Sequence, residues 1–227
     1  MSLRRIASIP LLAPLLGTCL LAPAAASLIP VASYDMLNGG SGTYNYWDDS
    51  YDGAGSRTTD YAALTGGTGQ LTDGIIASAP YSVVEPAAGP GPYVGWRYNV
   101  FGGPYIYPVI TFSFAGDYSF DQAVIHFDDA DGQGGVDHIQ RVDVAQRGVQ
   151  SFGDPAGSGP TSIGVDLTGL SGNVVSLQLV GADQWQFVSE IEFFGSSLAV
   201  PAPGALGLVG LGTFAAASLR RRRSWRA

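Results

Sequence analysis

Val109-Ile110-Thr111-Phe112-Ser113-Phe114 alternates large apolar side chains with smaller or polar ones. In an extended chain that period of two puts Ile110, Phe112 and Phe114 on one face and Val109, Thr111 and Ser113 on the other. The stretch is therefore predicted to be a half-buried β-strand. The pattern returns downstream. In Ala123–Phe127, Val124 and His126 oppose Ile125 and Phe127. In Ile139–Ala145, Val142 and Val144 share a face. Thr161–Leu167 is a weaker strand, Val174–Val180 carries Val175, Leu177 and Leu179 as one set, and Trp185–Phe194 is anchored by Phe187, Ile191 and Phe193. Clusters of Gly, Asp and Pro separate these runs, and no segment shows sustained helical periodicity with caps. Tyr34–Tyr105 is less regular, rich in Gly, Asp and Tyr, and is predicted to form long loops with short strands. The fold class expected is all-β, a sandwich or barrel.

Composition agrees. Of 227 residues, 32 are Gly and 14 are Pro, while 46% are hydrophobic. That is too apolar for an acidic disordered chain and too rich in turn formers for a helical bundle. The net charge of −8 hides an asymmetry. All eleven basic residues are Arg, and seven of them lie at the two ends: Arg4, Arg5, Arg220, Arg221, Arg222, Arg223 and Arg226. Between Asp35 and Glu192 only four Arg face nineteen carboxylates, a net of −15 for the middle of the chain. Such a surface repels nucleic acid and anionic lipid, so neither is an expected partner.

The ends read as addresses. Met1–Ala26 has a charged start, an apolar run from Ile9 to Leu21 and a small-residue cleavage site at Ala24-Ala25-Ala26, the pattern of a secretory signal peptide. Cys19, the one cysteine, lies inside it, so a processed chain would have no disulfide. At the other end Val200-Pro201-Ala202-Pro203-Gly204 precedes an apolar stretch, Ala205–Leu219, and then Arg220-Arg221-Arg222-Arg223. This order over residues 199–227 resembles the PEP-CTERM sorting signal of Gram-negative bacteria, departing from it at Ala202, where that family has Glu. The resemblance implies a transmembrane sorting helix, transient residence in the inner membrane, processing by an exosortase near the Pro motif, and delivery by the secretion machinery to the cell surface or extracellular matrix. Residues 27–198 remain as one domain of ordinary size.

Chemistry for an enzyme is sparse. There is no Lys and no cysteine outside the signal segment, so amine and thiol nucleophiles are missing from the domain. His126 and His138 lack the spacing of a zinc motif, and Gly66-Gly67-Thr68-Gly69 lacks the Lys of a phosphate loop. No catalytic residue is expected. Asp48-Asp49-Ser50-Tyr51-Asp52, beside Tyr46 and Trp47, and Asp128-Asp129-Ala130-Asp131-Gly132 are acidic loops. The second fails the EF-hand register, because Phe127 falls where the first ligand should be and His138 where the last should be. Each alone reads as a solvated turn.

A third acidic segment says more. Leu71-Thr72-Asp73-Gly74-Ile75-Ile76-Ala77-Ser78, with Tyr93-Val94-Gly95-Trp96 and Ser189-Glu190-Ile191-Glu192-Phe193-Phe194-Gly195, resembles the discoidin or galactose-binding-like jelly roll over Tyr34–Gly195. It departs from that family in the long insertion between Ser78 and Trp96. The resemblance implies a jelly-roll β-sandwich and a structural Ca²⁺ where the first loop meets the last strand. The ligands it implies are Asp73, Ser78 and Glu190, completed by carbonyls of Gln70, Ile75 and Ser189. Ca²⁺ takes six to eight oxygens of these kinds.

Aromatic rings among carboxylates suit sugar binding, because a sugar's C–H face can lie on a ring while acids take its hydroxyls. Tyr46, Trp47, Asp48 and Tyr51 are the leading ligand-binding candidates, with Tyr93 and Trp185 behind them; Trp96 and Trp185 equally suit a sandwich core. The expectation is an exported, non-catalytic surface or matrix protein that binds carbohydrate or exopolysaccharide. The alternatives are a structural biofilm protein without a defined ligand and, third, a polysaccharide-active enzyme.

Overall fold

A computed structural model of the chain describes residues 26–85, 91–98 and 107–198. The signal segment up to Ala25 and the sorting segment, with Val200, Pro201, Ala202, Pro203 and Arg220–Arg223, lie outside the described residues. Ten strands follow in order: β1 (Ser27–Ile29), β2 (Val31–Leu37), β3 (Ala63–Gly67), β4 (Val94–Arg97), β5 (Val109–Asp129), β6 (Ile139–Val144), β7 (Gly148–Ser151), β8 (Gly159–Asp166), β9 (Ser171–Gly181) and β10 (Trp185–Ser197). A single helical turn, α1 (Tyr81–Val84), and 3₁₀ turns at Gln70–Thr72 and Gln133–Gly135 are the helical pieces among the described residues.

The two strands predicted at Val109–Phe114 and Ala123–Phe127 are one. β5 runs 21 residues, and its two halves belong to different layers. Val109–Ser113 pairs with β9 on one side, and Thr111–Phe114 with β2 on the other. Beyond the exposed bend Ala115-Gly116-Asp117, Gln122–Phe127 pairs with β10 and β8. One layer is thus β3-β2-β5-β9-β6-β7. In the other, β8, β5 and β10 lie side by side, and β1 and β4 share the far edge of β10. All of these ladders are antiparallel. The turn residues at 116–117 permit the bend without breaking the strand, which is how one strand serves both sheets of a sandwich.

The core lies between the layers. Ile110, Phe112 and Phe114 of the first half of β5 point at the same interior as Ile125 and Phe127 of the second half and Ile191 and Phe193 of β10. Phe193 meets Phe112 with ring centroids 4.8 Å apart and Phe114 at 5.1 Å, both edge-on, the arrangement that ring quadrupoles favour. Val175, Leu177 and Leu179 share one face as predicted, and that face is the inner one; Trp96 is fully buried with its indole N–H donating to the Leu37 carbonyl at 2.8 Å. A second, smaller apolar cluster of Tyr46, Ala77, Tyr93, Ala130, Val136, Trp185 and Phe187 sits where loops close over β4 and β10. Gly95 makes this closure possible: a Cβ there would come within 2.1 Å of the Phe187 ring.

Candidate functional site

The loop between β2 and β3 was expected to present Tyr46, Trp47, Asp48 and Tyr51 to a ligand. The structure buries three of them. Tyr46 packs against Phe187, centroids 4.4 Å apart, and Trp185, 5.2 Å. The Tyr51 hydroxyl donates to the Tyr34 carbonyl at 2.5 Å and accepts the Gly67 N–H at 2.8 Å. Asp48 is a hub. Its Oδ1 accepts the Gln70 N–H at 2.9 Å, its Oδ2 takes the Tyr34 hydroxyl, and its own N–H donates to Asn38 Oδ1 at 2.8 Å. Burial holds the Asp48 carboxyl above its usual range, although these hydrogen bonds pull it down. The physical reason is a shortage of partners. An irregular chain that runs inward must satisfy its backbone N–H groups, and a short carboxylate or amide does so within the loop. Trp47 alone of the four stays half-exposed, its indole N–H donating to Asp60 Oδ1 at 2.7 Å. Of the secondary candidates, Tyr93 is 1% and Trp185 7% exposed, so neither offers an open ring face.

The calcium candidates fare differently. The turn at Asp73-Gly74 uses a left-handed glycine, φ +81°, and Asp73 Oδ1 closes it by accepting the Ile75 N–H at 2.8 Å. The turn is docked on the last strand. Glu190 Oε2 accepts the Gly74 N–H at 3.0 Å, and Ser189 Oγ accepts the Ala77 N–H at 3.2 Å. Asp73 and Glu190 line one cleft of about 290 Å³ beside β1, while Ser78 lines, with Asp73, a neighbouring cleft of about 440 Å³. Burial first, and the charge of Asp73 after it, push the Glu190 carboxyl up to about 7. Among the described residues no ion pair serves either acid. Two carboxylates that line one cleft and have no ion pair among the described residues are oxygen donors of the kind a hard divalent cation takes.

Buried acids appear where solvated turns were expected. Asp128 and Asp129, at the end of β5, are both fully buried. Asp128 Oδ2 accepts the Tyr81 N–H at 2.7 Å and so pins the start of α1; burial pushes its carboxyl up to about 6. Glu85 Oε1 likewise accepts the Tyr93 N–H at 2.9 Å, and burial pushes it up to about 7. The available sequence signal was position: two acids placed directly on the end of an apolar strand rather than beyond it. His126 pairs across the sheet with Glu192, Nε2 to Oε2 2.9 Å, a half-buried contact of the kind expected for a structural histidine.

Among the described residues a further cleft lies between β4, β6 and the β9–β10 loop. Tyr98 and Tyr107, centroids 5.2 Å apart, wall a cleft of about 200 Å³ with Gln140, Gly181, Ala182, Asp183 and Gln184. Arg97 lies over the Trp185 ring at 5.7 Å and donates to Gln184 Oε1 at 3.4 Å. No single local pattern connects Arg97, Gln140 and Asp183; the β4–β10 and β6–β9 ladders bring the first two to the β9–β10 loop that carries Asp183.

Antiparallel layers that share β5, closed by a first loop docked on the last strand, define a β-sandwich of the galactose-binding-like kind. Over residues 30–195 the chain matches the family model "Discoidin domain-containing receptor 1/2, DS-like domain", and it belongs to that family. Among solved structures it is similar to the family 32 carbohydrate-binding module from C. perfringens NanJ, solved in complex with galactose. The identity is 7% and the TM-score 0.39, covering 74% of this chain and 98% of that one. It is also similar to the module CBM32-3 from a family 31 glycoside hydrolase of Clostridium perfringens, at 12% identity and TM-score 0.29, over 46% of this chain and 75% of that one. No curated protein matches the sequence.

Proposed function

We propose that the chain is an exported, non-catalytic carbohydrate-binding module that displays its ligand site at the Tyr98–Gln184 mouth and uses Ca²⁺ as a structural ion at Asp73 and Glu190, with Ser78 at the rim. The observation that carries the reading is the cleft itself. The half-buried ring of Tyr107, the exposed amides of Gln140 and Gln184, and the carboxylate of Asp183 converge there over the buried Tyr98, and Arg97 stands beside Gln184. A pyranose ring needs one apolar face and several in-plane polar partners, which this set supplies. Membership of a discoidin-like family supports a ligand-binding rather than a catalytic role. Export, exosortase processing near Val200–Pro203, and residence at the surface of a Gram-negative bacterium rest on the sequence pattern of residues 1–26 and 199–227.

Glycan-array binding by the folded protein tests this reading. Asp183→Asn and Gln184→Ala should each remove binding at least tenfold while the fold persists. Absence of binding to any glycan by the folded protein would favour the structural biofilm reading, which the burial of Tyr46 and Tyr51 makes the natural second. Hydrolysis of a polysaccharide by the purified protein would overturn both.

A further inference from the structure

The β5–β6 loop holds a second group of donors, remote in the chain from Asp73 and Glu190 and different in kind. Asp129 is fully buried, yet only half of its carboxylate is used. Oδ1 accepts the Asp131 N–H at 3.2 Å, while Oδ2 is buried with no hydrogen-bond partner. A buried carboxylate oxygen without a donor is costly and calls for a proton, a water or a cation. Facing it are His138, at the end of the same loop, and Asp154, from the loop between β7 and β8. One donor atom from each of Asp129, His138 and Asp154 lies within 4.8 Å of the others. His138 Nδ1 stands 3.8 Å from Asp154 Oδ1. Asp137 Oδ1 accepts the His138 backbone N–H at 2.7 Å and lies 2.6 Å from the same Nδ1, so a metal bound at Nδ1 takes the place of the ring proton shared with Asp137. Asp131 and Asp137 add negative charge around Asp129, and none of the Arg ion pairs among the described residues reaches the cluster.

We propose that Asp129, His138 and Asp154 ligate a divalent transition-metal ion of the Zn²⁺ class. The donor set decides the ion. Ca²⁺ prefers an all-oxygen shell of six to eight ligands, whereas imidazole with carboxylates suits Zn²⁺ and its first-row neighbours. Zn²⁺ bound at about 2.0–2.2 Å from nitrogen and oxygen brings its ligands to roughly 3–3.6 Å from one another, so Asp154, the exposed member, needs only a small approach. The site would join the β5–β6 loop to the β7–β8 loop, a cross-link that a domain without cysteine otherwise lacks. It shares no residue with the calcium or carbohydrate site, so it stands or falls independently of the reading above.

Isothermal titration calorimetry on the full chain, stripped of metal by chelation, tests it with Zn²⁺ and Ca²⁺ as separate titrants. The expected result is uptake of one equivalent of Zn²⁺ at Asp129–His138–Asp154, weakened at least tenfold by His138→Gln and by Asp154→Asn and unchanged by Asp73→Asn. Asp154 is exposed, so its variant keeps the fold and the test remains decisive even if a variant at buried Asp129 does not fold. Failure of the wild-type chain to take up Zn²⁺ would overturn the proposal. So would Zn²⁺ affinity that is the same in His138→Gln and Asp154→Asn as in wild type, or a site that takes Ca²⁺ as well as Zn²⁺ and ignores the loss of the imidazole.

Discussion

Glu190 on β10 accepts the backbone N–H of Gly74 at 3.0 Å, across 116 residues of chain. The contact docks the first Asp-Gly turn on the last strand. It also holds a second carboxylate, Asp73, close enough to raise the Glu190 pKa.

The stability of the calcium-free protein should therefore fall as the pH rises. Glu190 and Glu85 are pushed up to about 7, from an ordinary value of 4.5. A carboxyl whose pKa is higher in the folded than in the unfolded state is protonated more readily in the fold. Its contribution is complete below about 4.5 and is lost as the pH climbs through about 7. Thermal melts in EGTA should show the melting temperature declining between pH 5 and 8. Glu190→Gln should remove part of that slope, worth on the order of 1–2 kcal/mol after solvent screening. A melting temperature that is flat or rises over this window would refute the assignment.

Calcium should reverse the trend. An ion held by Asp73 and Glu190 keeps both ionised and stabilises the fold by linkage. At pH 7.5, added Ca²⁺ should raise the melting temperature of wild type and leave Asp73→Asn and Glu190→Gln unmoved. If chelation does not change the wild-type melting temperature, no structural calcium is present.

Asp48 is expected to be a stability residue. Removing its carboxylate in Asp48→Ala strands the Gln70 N–H and the Tyr34 hydroxyl in the interior and should cost about 2–4 kcal/mol in urea denaturation. Glycan binding by the fraction that remains folded should be unaltered. A loss below about 0.5 kcal/mol, the scale of a surface substitution, would show that the hub carries nothing.

Gly95→Ala should be among the most damaging single-methyl additions in the domain. Its Cβ would meet Phe187 Cε1 at 2.1 Å and Tyr46 Cβ at 2.8 Å, with both rings locked in the second apolar cluster. Overpacking of this kind costs roughly 1–3 kcal/mol or more. Denaturant midpoints compared with an alanine at Gly116, where nothing lies within 4 Å, would measure it; equal midpoints would mean the cluster yields.

Local pattern was enough to find the strands of the second half of the chain except the short β7, because alternation is set by the two-residue period of an extended backbone and four residues show too little of it. Ile110 and Phe112, Val175 and Leu177, and Ile191 and Phe193 share faces as their spacing requires, and each of these faces is the inner one. The Asp73-Gly74 turn and the closing strand at Ser189–Gly195 stood out through their resemblance to the discoidin-like family rather than through periodicity. By itself the sequence determined an all-β, turn-rich, acidic domain with basic residues concentrated at its ends. The tertiary structure alone decided that Val109–Phe114 and Ala123–Phe127 are one strand serving two sheets, since a Gly-Asp pair can turn a chain or merely bend it. It alone decided that Tyr46, Asp48 and Tyr51 lie inside. A residue in an irregular loop has no periodicity to reveal its face, and its burial depends on which distant backbone groups need partners. The same holds for Asp129, His138 and Asp154, which are brought together by strand pairings that no local stretch of the chain encodes.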